Sequence, residues 1–209
     1  MSALPQAVEA VDAPATYKAY ILRTCAADMS SYGGFIWPTE GYVAAPDWRD
    51  TRECGFGLHG FLMGEGDGSL ASWDPDAKWI VAGINEWVEL DGKVKAPEAW
   101  VVHCGDRLSA VEYIKALGAT GAIVGGTATA GDRGTATAGD RGTATAGIGG
   151  TATAGVGGTA TAGYGGTVLI RFYDAAASRC RVITGYVGED GIKPNTRYRV
   201  VGGKLVEAR

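Results

Sequence analysis

Five eight-residue units of nearly identical sequence follow one another without a gap from Gly126 to Gly165. They read GTATAGDR, GTATAGDR, GTATAGIG, GTATAGVG and GTATAGYG, and a broken sixth unit begins at Gly166. Strict short repeats are typical of stacked structures in which each unit contacts only its neighbours. A flexible linker is the alternative for a Gly-, Ala- and Thr-rich composition. The fixed period, with variation confined to the last two positions of each unit, favours the stack.

Each octad predicts one short strand. Thr-Ala-Thr-Ala alternates a β-branched polar residue with a small apolar one, and the flanking glycines allow tight turns. We expect the threonines to point outward, because the reverse arrangement would bury two hydroxyls per octad without partners, at about 1–3 kcal/mol each. Two octads then close one sixteen-residue coil of a narrow, two-sided parallel β-solenoid, and the five octads form two and a half coils.

The TAGYGGT run and the GTATAG period resemble the central repeats of bacterial ice-nucleation proteins, whose repeat is two such octads. The resemblance implies a β-solenoid whose Thr-x-Thr ladders order water. In this chain, the sixteen-residue coil would align six threonines as a binding surface: Thr127, Thr129, Thr143, Thr145, Thr159 and Thr161.

The flanking segments resemble a family of uncharacterised phage and bacterial proteins. The motifs that carry this resemblance are CGFGLHG from Cys54, VVHCGDR from Val101 and GEDGIKPNTRYRV from Gly188, with the octads between the last two. That family implies the same order of segments and no particular activity.

The whole chain is predicted to be α+β and mostly β. Residues 1–14 are expected to be a flexible leader, residues 15–117 a mixed strand-rich domain, residues 118–165 the solenoid and residues 166–209 an antiparallel β cap. A single helix from Ser109 to Leu117, with Ser109 as N-cap, leads into the first octad and is expected to cap the solenoid. Beyond Thr167 the residues look too large for the narrow stack, and Gly202-Gly203 predicts a hairpin turn.

Charge is unevenly distributed along the chain. Residues 1–125 carry 17 acidic and 9 basic side chains, a balance of −8, whereas residues 126–209 carry 6 and 10, a balance of +4. The acidic half excludes a uniformly basic nucleic-acid binder. The chain contains no apolar run of membrane-spanning length and its start does not read as a secretory signal, so we expect a cytoplasmic protein without a membrane association.

Four dispersed cysteines, Cys25, Cys54, Cys104 and Cys180, show no CxxC spacing and predict reduced, partly buried thiols. Cys54 and His59 together with His103 and Cys104 suggest zinc ligands. Neighbouring residues of a strand point to opposite faces, however, so His103 and Cys104 are poorly placed for one ion. We therefore predict neither a metal nor a cofactor.

The amino-terminal order of a strand, a GLH segment and then Glu98-x-Trp-Val-Val resembles ADP-ribosyltransferase-like domains. That resemblance implies His59 as a cofactor or substrate contact and Glu98 as the catalytic carboxylate. The Ser-Thr-Ser element of those domains is absent here, and a non-catalytic domain is therefore the expectation.

The variable octad positions change from Asp132 and Asp140 to Ile148, Val156 and Tyr164 along the stack. Exposed apolar corners are disfavoured, so we expect the cap or a second protomer to cover them. The primary functional hypothesis is a non-catalytic interaction protein, of phage or mobile-element origin, that docks on a protein partner or on itself as a homodimer.

Two alternatives to the interaction protein stay open: a transferase-like enzyme, in intact or degenerate form, and a water- or ice-binding protein. The alternating Arg and Tyr residues beyond Thr167 fit either a nucleic-acid surface or simply the outer face of an antiparallel sheet.

Overall fold

A seven-stranded antiparallel sheet forms the amino-terminal part of the protein. The structure is a computed structural model, which describes residue 14 and residues 16–208. The predicted leader lies outside the described residues except for residue 14. In space the strands follow the order β2-β7-β4-β1-β3-β6-β5. They are β1 (Ala19–Cys25), β2 (Gly41–Ala44), β3 (Leu58–Leu62), β4 (Lys78–Ile84), β5 (Val88–Leu90), β6 (Lys93–Ala96) and β7 (Glu98–Gly105), with short 3-10 turns at Tyr32–Gly34 and Gly68–Leu70.

A helix, α1 (Arg107–Ala116), packs Ala110, Val111 and Ile114 against one face of this sheet. The predicted N-cap is wrong: Asp106 is the N-cap, because its carboxylate accepts a hydrogen bond from the free amide of Ser109 at 2.8 Å. At the other end of the helix, Lys115 Nζ donates to the backbone oxygen of Thr127 at 2.9 Å. The last helical turn is thereby joined to the first strand of the repeats.

The repeats form a two-sided parallel solenoid with the predicted sixteen-residue coil. Thr143 is in register with Thr127 and Thr159 on one side, and Thr151 is in register with Thr135 on the other. The strands are β8 (Thr127–Ala130), β9 (Thr135–Ala138), β10 (Thr143–Ala146), β11 (Thr151–Ala154), β12 (Thr159–Ala162) and β13 (Thr167–Asp174).

The alanines fill the interior of the stack and the threonines face outward, as the alternation predicts. Ala144, Ala152 and Ala160 are fully buried, whereas the threonines beside them remain half-buried or exposed. The strand-rich α+β architecture is confirmed.

Larger residues do enter the stack at its carboxy-terminal end, contrary to the prediction. Val168 and Ile170 of β13 are fully buried and stack in parallel register on Ala152 and Ala154. They fit because this rung faces the cap instead of another alanine rung. Val187, Tyr198 and Leu205 pack into the same core and give it a greater width there.

The cap adds antiparallel strands to the end of each solenoid sheet. β14 (Arg179–Tyr186) pairs with β13 on one side, while β15 (Tyr198–Val201) pairs with β12 on the other and with β16 (Lys204–Glu207). Gly202 and Gly203, with φ of +57° and +73°, form the predicted hairpin turn. The strand edges that the last coil would otherwise expose are thereby paired.

Candidate functional site

Two files of threonine side chains run up the outer face of β8, β10 and β12. One file consists of Thr127, Thr143 and Thr159, and the other lies two residues further along each strand. Parallel strands are about 4.8 Å apart and alternate residues of one strand about 6.6 Å apart. The six threonines predicted as a ladder therefore form one regular patch of about 10 Å by 7 Å.

The ladder hydroxyls can each bind water. Thr159 Oγ1 donates to Thr143 Oγ1 at 3.3 Å, which aligns two neighbouring hydroxyls along the first file. A hydroxyl has one donor and two acceptor positions, so even these two retain acceptor capacity. Thr127 and Thr129 are exposed, and the other four ladder threonines are half-buried. The surface thus alternates hydroxyl and methyl groups at fixed spacing.

The opposite sheet carries a second, incomplete ladder, which lies outside the predicted binding residues. Its outward positions are occupied by Thr135, Thr137, Thr151, Thr153 and Thr167. Leu169 takes the sixth position, in register with Thr153. The signal was present in the octads themselves, because every octad contributes a Thr-x-Thr pair to one side or the other.

Aspartates at the corners hold the coils and the amino-terminal domain in register. Asp132 Oδ1 accepts a hydrogen bond from the amide of Ile148 at 2.9 Å, and Asp140 Oδ1 accepts one from Val156 at 2.7 Å. Asp140 Oδ2 also accepts from the amide of Gly68, in the amino-terminal domain, at 3.1 Å. Each aspartate therefore binds the corner amide sixteen residues later, and Asp140 additionally joins the two parts of the chain.

The arginine after Asp140 strengthens the same junction. Arg141 places its guanidinium 4.8 Å from the ring centroid of Trp73, a favourable cation–π distance. It does so from a left-handed backbone conformation, with φ of +52°, where later octads have glycine. Sequence reasoning missed this role, although the restriction of Asp-Arg to the first two octads was its signal.

The cap does not cover the apolar corners, although coverage by the cap was one of the two predicted arrangements. Ile148 is 56% exposed and Tyr164 is 66% exposed, while Val156 is half-buried. The cap leaves the first two open because its strands extend the two sheets edge to edge, in line with the stack, and do not cross the turns. Coverage by a second protomer stays a prediction.

His59 and Glu98 do not come together in one site. His59 lies on β3 and Glu98 begins β7, and β1 and β4 separate these strands in the sheet. Three strand spacings correspond to about 14 Å. Glu98 Oε2 accepts a hydrogen bond from Tyr42 OH at 3.0 Å. The sheet order therefore gives no shared pocket in which these two residues would divide a transferase reaction.

His59 is held neutral by its surroundings. Burial of the ring is the largest cause and the positive charges of Lys93, Arg23 and Lys95 act in the same direction, and together they lower the pKa of His59 to about 4. Its Nε2 accepts a hydrogen bond from the amide of Gly55 at 3.3 Å, which assigns the ring proton to Nδ1.

We expect His59 to make the fold sensitive to mild acid. The unfolded chain protonates this ring near pH 6.5 and the folded chain only near pH 4, so stability falls as the pH decreases through that window. Chemical denaturation at pH 7 and pH 4.5 gives the loss of unfolding free energy on acidification. This loss should be about 1–2 kcal/mol smaller for His59→Gln than for the wild type, and the glutamine amide oxygen can still accept a hydrogen bond from Gly55. Equal losses for both proteins would contradict this assignment.

The proposed zinc ligands are engaged elsewhere. His103 stacks on Tyr113 at 4.7 Å and its Nε2 lies 3.1 Å from Ser109 Oγ, while Cys104 Sγ contacts Met29 Sδ at 3.8 Å. Within residue 14 and residues 16–208, no group of three or more His, Cys, Asp or Glu side chains is arranged to hold a metal ion. All four cysteines are free thiols, with Cys25 buried and both Cys54 and Cys180 exposed.

The Arg and Tyr side chains of the cap are divided between two hairpins, β13–β14 and β15–β16, and Tyr198 of the second hairpin is buried. Arg171 and Tyr173 lie on the exposed face of β13, and Arg181 of β14 forms an ion pair with Asp174 at 2.8 Å.

Across the residues that the structure describes, no helix is both long and apolar enough to span a membrane.

Curated proteins similar to this chain are ice nucleation proteins. One from Pseudomonas syringae is 44% identical over 103 residues, which cover 47% of this chain and 9% of that protein. The ice nucleation protein InaU of Pantoea ananas is 39% identical over 101 residues, which cover 46% of this chain and 10% of InaU. An ice nucleation protein from Xanthomonas campestris pv. translucens is 38% identical over 103 residues, which cover 47% of this chain and 7% of that protein. The chain thus spans about a tenth of the length of these relatives.

No family model and no solved structure matches the chain. The matched share of the chain is larger than the octads alone, which occupy residues 126–165. These similarities give no support to a phage origin. They do support the resemblance of the repeats to those of ice-nucleation proteins, and the protein is similar to that family over about half of its length.

Proposed function

We propose that this protein binds ordered water at the surface of ice through the six-threonine ladder of β8, β10 and β12. The observation that carries the proposal is the parallel register, which repeats one Thr-x-Thr pair on three successive rungs. The similarity to ice nucleation proteins supports it independently. The same similarity favours ice binding over the interaction-protein hypothesis.

The chemistry of the surface suits this role. Each rung offers hydroxyls that hydrogen-bond water, next to methyl groups around which water forms its own hydrogen bonds. The solenoid fixes these groups at a regular spacing, so bound water need not reorganise them. The complete ladder is the better candidate surface, because Leu169 interrupts the file on the opposite sheet.

The size of the patch sets the expected activity. Three rungs and two files span only about 10 Å by 7 Å, which contacts few water molecules at once. We therefore expect adsorption to existing ice crystals, measured as inhibition of recrystallisation, and weak nucleation of ice from supercooled water.

Thr145 lies at the centre of the complete ladder and provides the test. We expect Thr145→Lys to raise the protein concentration needed to inhibit ice recrystallisation by about tenfold or more, because the long charged side chain crosses the patch and holds its own hydration shell. Thr153→Lys is the matched control, in the middle of the same stack on the interrupted face.

Thermal unfolding of both variants should stay close to that of the wild type, since both side chains point outward. An inactive wild-type protein would refute the proposal. Equal loss of activity in the two variants would refute the assignment to this face.

A further inference from the structure

A positively charged cleft in the amino-terminal domain lies apart from the threonine ladders and has no role in the function proposed above. It has a volume of about 450 Å³, and a neighbouring cavity of about 510 Å³ shares several of its lining residues. Arg23, Tyr32 and His59 line both. This volume falls within the range of small-molecule binding sites, about 300–1,000 Å³.

Two cations line the cleft and a third is buried on the adjoining strand. Arg23 and Lys93 line it, and Lys95 is in register with His59 on the adjoining strand. Within the described part of the chain, none of the three has a carboxylate oxygen within 4.0 Å. Asp47, which lines the second cavity, is the acidic group whose charge acts on His59 against theirs. The cleft is therefore locally cationic in the acidic half of the chain.

Two of the cations are fixed in position by neutral contacts. Lys95 is fully buried, and its Nζ donates to the backbone oxygens of Glu53 at 3.0 Å and Gly55 at 3.3 Å. Arg23 Nη1 donates to the backbone oxygen of His59 at 2.8 Å, and its guanidinium lies 4.6 Å from the Trp37 ring centroid. These contacts satisfy donors but leave the positive charges uncompensated.

Arg23 also has an unsatisfied donor. Its Nε is buried and has no hydrogen-bond partner among the residues that the structure describes, which is a costly state for a charged side chain. Lys93 Nζ touches only the weak acceptor Cys54 Sγ, at 3.1 Å, and is free to turn to a stronger one. Phe61 and Leu70 give the cleft an apolar wall, and the fully exposed Tyr32 ring lies at its rim.

From this arrangement we infer that the cleft binds a small organic anion, with a phosphate or carboxylate group between Arg23 and Lys93 and a flat apolar body against Phe61 and Leu70. A charged acceptor forms stronger hydrogen bonds with guanidinium and ammonium groups than a neutral one does. The apolar wall and the exposed aromatic rim add contact area for the remainder of the ligand.

Titration calorimetry with phenyl phosphate, benzoate, inorganic phosphate and neutral phenol tests this inference. We expect saturable binding of phenyl phosphate or benzoate, with the stronger of the two identifying the anionic group. Phenol and inorganic phosphate each supply only half of the contacts and should bind at least about tenfold more weakly.

Lys93→Gln should weaken binding of the preferred probe about tenfold, because it removes one charge-assisted hydrogen bond. Lys18→Gln is the control, at the opposite end of β1 from Arg23 and outside the cleft. Unfolding curves of both variants establish that they are folded.

Absence of heat with all four probes would overturn the inference, as would equal affinity of phenol and phenyl phosphate. Unchanged affinity in a folded Lys93→Gln protein would also overturn it. Recrystallisation inhibition by the ladder is measured separately, so failure here and failure of the ice-binding proposal are distinguishable.

Discussion

Ala144→Leu is expected to destabilise the protein by about 3 kcal/mol or more, the upper part of the range for overpacked cores. Ala144 is fully buried and is stacked in register between Ala128 and Ala160, in the part of the interior that alanine methyl groups fill. A leucine there adds three carbons. The neighbouring strands cannot move apart to make room for them, because the hydrogen bonds of the parallel ladder fix the strands above and below. For a chain of this size, the melting temperature should fall by about 6–12 °C.

Thr145→Leu is the matched control, one residue further along the same strand. Its side chain points outward and is half-exposed, so we expect a change in unfolding free energy within about 0.5 kcal/mol. Differential scanning calorimetry of the two variants compares them directly. Similar destabilisation by both would mean that the assignment of Ala144 to the interior and Thr145 to the surface is wrong.

Asp140→Ala should lower the unfolding free energy by about 3 kcal/mol, since it removes hydrogen bonds from two amides to one charged carboxylate. It breaks both the corner of the next coil, at Val156, and the junction with the amino-terminal domain, at Gly68. A larger side chain at position 68 could not compensate for the lost hydrogen bonds, because a Cβ at Gly68 would lie 2.5 Å from Asp140 Cβ.

Asp132→Ala removes the equivalent corner bond and none to the amino-terminal domain, so we expect only about half of that loss. Denaturant titration of the two variants isolates the contribution of the junction. If both lose the same stability, the Gly68 contact contributes nothing and Asp140 acts within the solenoid alone.

The sequence of the octads determined the solenoid, because the facing of the side chains, the turns and the coil length all follow from the same eight-residue unit. Thr-Ala alternation sets which side chains face inward, glycine permits the turns, and the eight-residue period sets the sixteen-residue coil. Strand register in an ordinary sheet depends on distant contacts, but here every rung has the same sequence as its neighbours. The ladder of Thr127 to Thr161 was therefore predictable residue by residue.

Only the tertiary structure decided what surrounds the repeats. The alternation in Thr167 to Ile170 continues the coil, but whether Val168 and Ile170 fit depends on the space that Tyr198 and the rest of the cap leave, which no local pattern encodes. Asp140 binds Gly68, seventy-two residues earlier in the chain, so its role at the junction was equally invisible.

The amino-terminal domain shows the same division between local and distant information. The resemblance to ADP-ribosyltransferase-like domains implies a joint role for His59 and Glu98, yet the strand order separates them. That order instead brings Arg23, His59 and Lys95 onto three neighbouring strands, β1, β3 and β6. Long-range antiparallel pairing is set by the burial of whole strands and not by any short pattern, and it decides which side chains lie near one cleft.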